Sequence, residues 1–104
     1  MGHDIFARRG KPEVGREMQF FAQEETAYLR RGAFNNLGRE IYKALDATQY
    51  DAGCSGNGED VYFTQQQIAD SLKRLPQGEQ LEPEREFLSD CLAAGGDGVT
   101  ISFC

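Results

Sequence analysis

The sequence predicts an α+β domain, a small, mainly antiparallel sheet with about three helices packed on one face. Three observations lead there. Short β-prone runs lie near both ends of the chain; stretches between them repeat apolar residues at helical spacing behind recognisable start signals; and the closing run GDGVTISFC alternates apolar with polar residues. At 104 residues the chain has the length of a single domain, 1–104, able to bury roughly two-thirds of its unfolded surface.

The first element is the run DIFARRG, followed by a break at Gly10 to Gly15 that contains Pro12, and then EMQFFAQ. These read as two short strands joined by a turn, with Ile5, Ala7 and Phe6 opposite Met18, Phe20 and Phe21, although EMQFFAQEETAYLRR is open to a helical reading as well. From Thr26 to Ala47 the residues Tyr28, Leu29, Phe34, Leu37, Ile41, Ala44 and Leu45 recur mainly at steps of three and four, which predicts an amphipathic helix. Gly32 is a plausible break, leaving Phe34 to Leu45 as its firm part.

After the glycine-rich stretch GCSGNGED, DVYFT reads as a short strand. Thr64 with Gln67 three residues on is a capping-box pair, so a helix is expected over Gln65 to Leu75, stopped by Pro76 and Gly78. A further helix starts around Pro83 with Glu82, Glu84 and Glu86 at the positive end of its dipole, and buries Phe87, Leu88, Cys91 and Leu92 before Gly95 and Gly96 end it. In the closing strand Val99, Ile101 and Phe103 point one way and Thr100 and Ser102 the other, which predicts one wet face and antiparallel pairing, beside the first strand.

The chain carries a formal charge of −6, and its distribution is uneven. Residues 1–52 hold eight basic and eight acidic side chains, whereas residues 53–104 hold three basic against nine acidic ones, so the whole surplus lies in the second half. A field of that sign repels nucleic-acid phosphate and attracts cationic surfaces, so direct nucleic-acid binding is not expected. Mixed charges at the start and the lack of any long apolar run predict a cytoplasmic protein without a membrane span. Cys54, Cys91 and Cys104 fit neither a disulfide framework nor a zinc site, and His3 is the single histidine; no metal or cofactor is expected.

Three chemistries can be weighed against these residues. GCSGNGED lacks the lysine of a phosphate-binding loop and puts Glu59 and Asp60 where a cation belongs. Cys54 as a nucleophile needs a nearby cation, helix N-terminus or histidine to lower its pKa, and only His3 is on offer. The pairs Arg8/Arg9 and Arg30/Arg31, interleaved with Phe6, Phe20, Phe21 and Tyr28, have the ingredients for stacking a base over a phosphate contact. The acidic run EQLEPEREFLSD outweighs all three. It makes Glu79, Glu82, Glu84, Glu86 and Asp90, with Glu59 and Asp60, the candidate contacts for a basic protein surface such as that of a nucleic-acid-binding protein. The expected function is therefore non-enzymatic binding. The alternatives are a small enzyme or nucleotide binder built on the Gly53 to Gly58 loop, Cys54 and the arginine pairs, and a homodimer held by exposed Phe and Tyr.

The pieces MGHDI, AYLRR, GCSGNG and FTQQQIADSL together resemble small proteins encoded by phages and prophages. The resemblance implies a short acidic product that inhibits a host defence protein by stoichiometric contact, nucleic-acid mimicry included. It assigns no residue.

Overall fold

The computed structural model describes residues 2–10, 25–32, 37–53, 55–94 and 96–104. Four strands, β1 (Gly2–Arg9), β2 (Glu25–Gly32), β3 (Asp60–Thr64) and β4 (Gly98–Phe103), form one sheet in the order β2-β1-β4-β3, with every neighbouring pair antiparallel. Three α-helices are described, α1 (Gly38–Ala44), α2 (Gln65–Arg74) and α3 (Glu82–Ala93), together with short 3-10 turns at Thr48–Tyr50 and Glu79–Leu81.

The helices cover one face of the sheet. Ile5 and Ala7 of β1, Ala27 and Leu29 of β2, Phe63 of β3 and Val99, Ile101 and Phe103 of β4 are all buried, in one cluster with Ile41, Tyr42, Ala44 and Leu45 from α1, Ile68 from α2 and Phe87, Leu88 and Cys91 from α3. Each Val, Leu, Ile or Phe among them contributes about 1.5–3 kcal/mol when removed from water. The capping box of α2 is formed as read: Thr64 Oγ1 accepts from the Gln67 amide at 3.2 Å and the Gln67 carboxamide oxygen accepts from the Thr64 amide at 2.8 Å. At α3, Pro83 stands in the first turn, where its missing N–H is no loss.

Two expectations are corrected. Residues 25–32, assigned to the opening of a helix from Thr26, are β2. Ala27, Leu29 and Arg31 share the helix-facing side while Tyr28 and Arg30 face away, and β1 pairs with them from Gly2 opposite Gly32 to Ala7 opposite Ala27. The helical spacing of Tyr28 and Leu29 with residues beyond Gly32 is overridden because β1 needs a partner on this side for its own backbone groups. The proposed partner strand EMQFFAQ lies outside the described residues.

The second correction concerns β4, all six of whose residues are buried, so it has no wet face. It runs between β1 and β3, and on its outer side Ser102 stands opposite Phe6 and Thr100 opposite Tyr62. Alternation alone reports the pleat, whereas what lies over the polar side decides whether it meets water, and here Thr100 Oγ1 donates to the Gly10 carbonyl at 2.5 Å. The same crowding fixes Gly98: a Cβ there would run into the Phe63 carbonyl oxygen, with the Tyr62 hydroxyl and the Thr64 Cα also under 3.0 Å away.

Candidate functional site

Helix α3 shows how the acidic run is divided. Phe87, Leu88 and Cys91 face the core, and Glu84, three residues before Phe87, lies on the same stripe and is 0% exposed. It answers Arg31 of β2 bidentately: the Arg31 Nε donates to Glu84 Oε2 and an Nη2 to Oε1, both at 2.6 Å, while Nη2 also donates to the Gln80 carbonyl at 2.7 Å. The carboxylate beside it holds the Arg31 guanidinium above its ordinary pKa. Glu84 is thus an internal clamp between helix and sheet and presents nothing to a partner.

The other acids of the run stay outside. Glu79, Glu82, Glu86 and Asp90 are exposed, and Glu82, Glu86 and Asp90 follow one another at steps of four along the outward side of α3. Among the described residues one cation meets them, Arg85, whose Nη1 lies 2.9 Å from Glu82 Oε1. Glu59 and Asp60 are exposed as well, but they sit at the start of β3, the edge of the sheet opposite β2, whereas α3 is tied to β2 through Arg31. The structure therefore separates the seven candidate acids into an exposed row on α3 and the turn before it, a pair at the far edge and one buried residue.

The pleat also divides both arginine pairs. Arg30 faces outward and bonds Asp4 at 2.9 Å, while Arg31 points inward to Glu84. Arg8 lies over the Phe6 ring at 5.9 Å on the outer face, and Arg9 donates to the Ala94 carbonyl at 3.2 Å. Phe6 in turn stacks on Tyr28 at 5.1 Å, and the Tyr28 hydroxyl donates to Asp4 at 2.7 Å. That hydrogen bond to the carboxylate raises the Tyr28 pKa. Neither of these two pairs converges to grip a phosphate, and Phe20 and Phe21 lie outside the described residues.

The glycine loop directs its amides at its own chain. Gly56 N donates to the Cys104 carbonyl at 3.0 Å, Gly58 N to Phe103 at 2.6 Å, Asn57 N to Tyr50 at 2.9 Å and Gly53 N to the Asp51 carboxylate at 2.8 Å. A phosphate cradle requires those N–H groups to converge on a ligand. Gly56 is needed because a Cβ would strike the carbonyl carbon of Phe103, and its oxygen is only 2.6 Å away. Gly56→Ala is expected to cost about 1–3 kcal/mol by forcing the loop off β4, measured as a lower urea midpoint at unchanged m-value.

His3, the single histidine, is buried on the helix-facing side of β1. Its Nε2 donates to the Gly53 carbonyl at 3.0 Å, so Nδ1 is the acceptor for the Tyr42 hydroxyl at 2.8 Å. Burial first, and the charge of Asp51 next, push Tyr42 upward in pKa, so it remains the donor. The parity of His3 with Ile5 and Ala7 was the signal that could have placed it. Both ring nitrogens are engaged, leaving neither to activate a thiol. Cys54 lies outside the described residues. Burial raises the Cys91 pKa to about 12, and burial with the charges of Asp60 and Asp4 raises that of Cys104, so neither is an activated nucleophile.

A cleft of about 230 Å³ opens between the end of α1, β3 and α2, with Asp46, Gln49, Gln67 and Arg74 among its polar walls. It is smaller than the usual 300–1,000 Å³ of a small-molecule site. Arg74 is engaged there with the Ala44 carbonyl at 2.6 Å, and Gln67 with Thr64. Among the described residues no group of three His, Cys, Asp or Glu could hold a metal ion, and no helix is long and apolar enough to cross a membrane. Comparison with protein-family models, with curated proteins and with solved structures returns no match.

Proposed function

We propose that this chain is a non-enzymatic binding protein that receives a basic protein surface on the outward side of α3, acting by stoichiometric contact, as an inhibitor of a nucleic-acid-binding or defence protein of the phage type would. The observation that carries this reading is the exposed row Glu79, Glu82, Glu86 and Asp90, of which Arg85 meets one member. Charges held on a helix at steps of four keep a fixed spacing, so a cationic groove meets them without first ordering a loop. The internal engagement of the loop amides, His3 and the arginines supports binding over catalysis.

The test uses matched charge reversals. Glu82→Lys with Glu86→Lys is expected to weaken binding to the captured partner about tenfold and to flatten its salt dependence, mainly through the association rate. Glu59→Lys with Asp60→Lys changes the net charge equally at the other edge of the sheet and should leave affinity within about twofold, since charges farther than a Debye length are screened. Equal loss in both variants would show an unspecific effect of net charge and end the assignment to α3.

A further inference from the structure

We infer that the outer edge of β2 is a self-association surface, on which a second copy of the chain pairs β2 against β2 about a two-fold axis. The sheet has two edges, and they are treated differently. β3 is a short strand whose last residue, Thr64, has its amide taken by Gln67. β2 has eight residues.

The hydrogen-bonding parity fixes which groups of β2 look outward. Asp4 exchanges N–H and C=O with Cys104, and Gly10 N donates to Gly98, so the even-numbered residues of β1 serve β4 and the odd ones serve β2. Ile5 and Ala7 therefore bond Leu29 and Ala27, and Tyr28 and Arg30 turn their N–H and C=O away from the sheet. Among the described residues no backbone group pairs with them. Tyr28 is 47% exposed and the Arg30 side chain 59%, so the outer face beside this edge is open to solvent.

One register suits a second copy. Pairing centred on Leu29 sets Tyr28 opposite Arg30 of the other copy, each residue exchanging N–H and C=O with its counterpart. On the outer face it brings each Tyr28 ring, already backed by Phe6, against the opposing Arg30 guanidinium, and on the helix side it sets Leu29 against Leu29. A register centred on Arg30 would oppose like charges. One centred on Tyr28 would need Thr26, where the ladder with β1 shifts at Ala7/Arg8. The strand is complementary to itself in one way, which a heterologous peptide would have to match by chance. Because each copy carries −6, added salt favours the pair.

Sedimentation equilibrium of the full chain, with amide exchange read residue by residue, tests this. Expected is a monomer–dimer equilibrium that tightens with salt, in which the Tyr28 and Arg30 amides gain protection with concentration while that of Asp60 does not. Arg30→Pro removes an outward N–H and no bond to β1, so the far-UV spectrum is retained while the dimer dissociation constant rises on the order of a hundredfold. Tyr28→Lys, which leaves the backbone intact and opposes Lys to Arg30, should have the same direction of effect. A chain monomeric to millimolar concentration overturns the inference. So does a dimer that forms without protecting those amides, protection that is complete in the monomer and marks an edge covered by the chain itself, or a Tyr28→Lys variant that pairs as tightly as the parent.

Discussion

Replacing Glu84 by alanine is expected to lower stability by about 3–5 kcal/mol, because it leaves the Arg31 guanidinium, 15% exposed, without its bidentate partner. In a domain of this size that is a fall in Tm on the order of 15–30 °C, readable by thermal denaturation. The comparison that gives the number meaning is the Arg30–Asp4 pair one residue away, with side chains 59% and 28% exposed. Arg30→Ala should cost far less, since solvent screens an open pair and little is desolvated to make it. Replacing both members of the inner pair together, Arg31→Met with Glu84→Leu, should recover most of the loss, because the penalty of Glu84→Ala lies in the stranded charge more than in the missing attraction. A Glu84→Ala variant as mild as Arg30→Ala would show that water reaches Arg31 and that the clamp is not closed.

Phe103→Ala is the second large effect. The ring is fully buried in β4 and meets Tyr42 at 5.4 Å, Tyr50 at 5.3 Å in a stacked arrangement and Phe63 at 6.2 Å edge-on. Deletion removes the transfer energy of the ring and leaves a cavity that three aromatics on three different elements cannot jointly close, about 3–5 kcal/mol in all. Phe103→Leu should cost less, keeping much of the volume while losing the ring contacts. Chemical denaturation of both variants gives the order, and a Leu variant as damaged as the Ala variant would mean that aromatic geometry, not volume, holds this corner.

Much of the architecture was legible in residues that declare their role locally. Thr64 with Gln67 announced α2, Pro83 announced α3, and the alternation of Val99, Ile101 and Phe103 announced β4 with its antiparallel pairing. What failed depended on partners distant in sequence. Tyr28 and Leu29 fit a helical spacing as well as an alternating one, and only β1 decides between them. The burial of Thr100 and Ser102 depends on what lies over the outer side of β4, such as the Gly10 carbonyl that accepts from Thr100, and its own residues do not encode that.

The candidate site shows the same division. Glu84 occupies a core position of a helix whose other core positions are apolar, a pattern that demands a cation, yet nothing near it in sequence names Arg31, fifty-three positions away. Glu82, Glu86 and Asp90 share an exposed side because helical periodicity alone puts them there. Glu59 and Asp60 were grouped with them by charge, which says nothing of where a strand will lie.

The strand order carries a consequence for how the protein is made. β1 and β2 are synthesised before β4 and can zip together, but β1 and β3 do not pair with each other, and both wait for residues 98–103 to stand between them. A nascent chain therefore holds β1 without its β4 partner until residues 98–103 have been made. Pairings of such long sequence separation fold slowly compared with helical bundles, and the interval before β4 arrives is when chaperones would find this chain most worth holding.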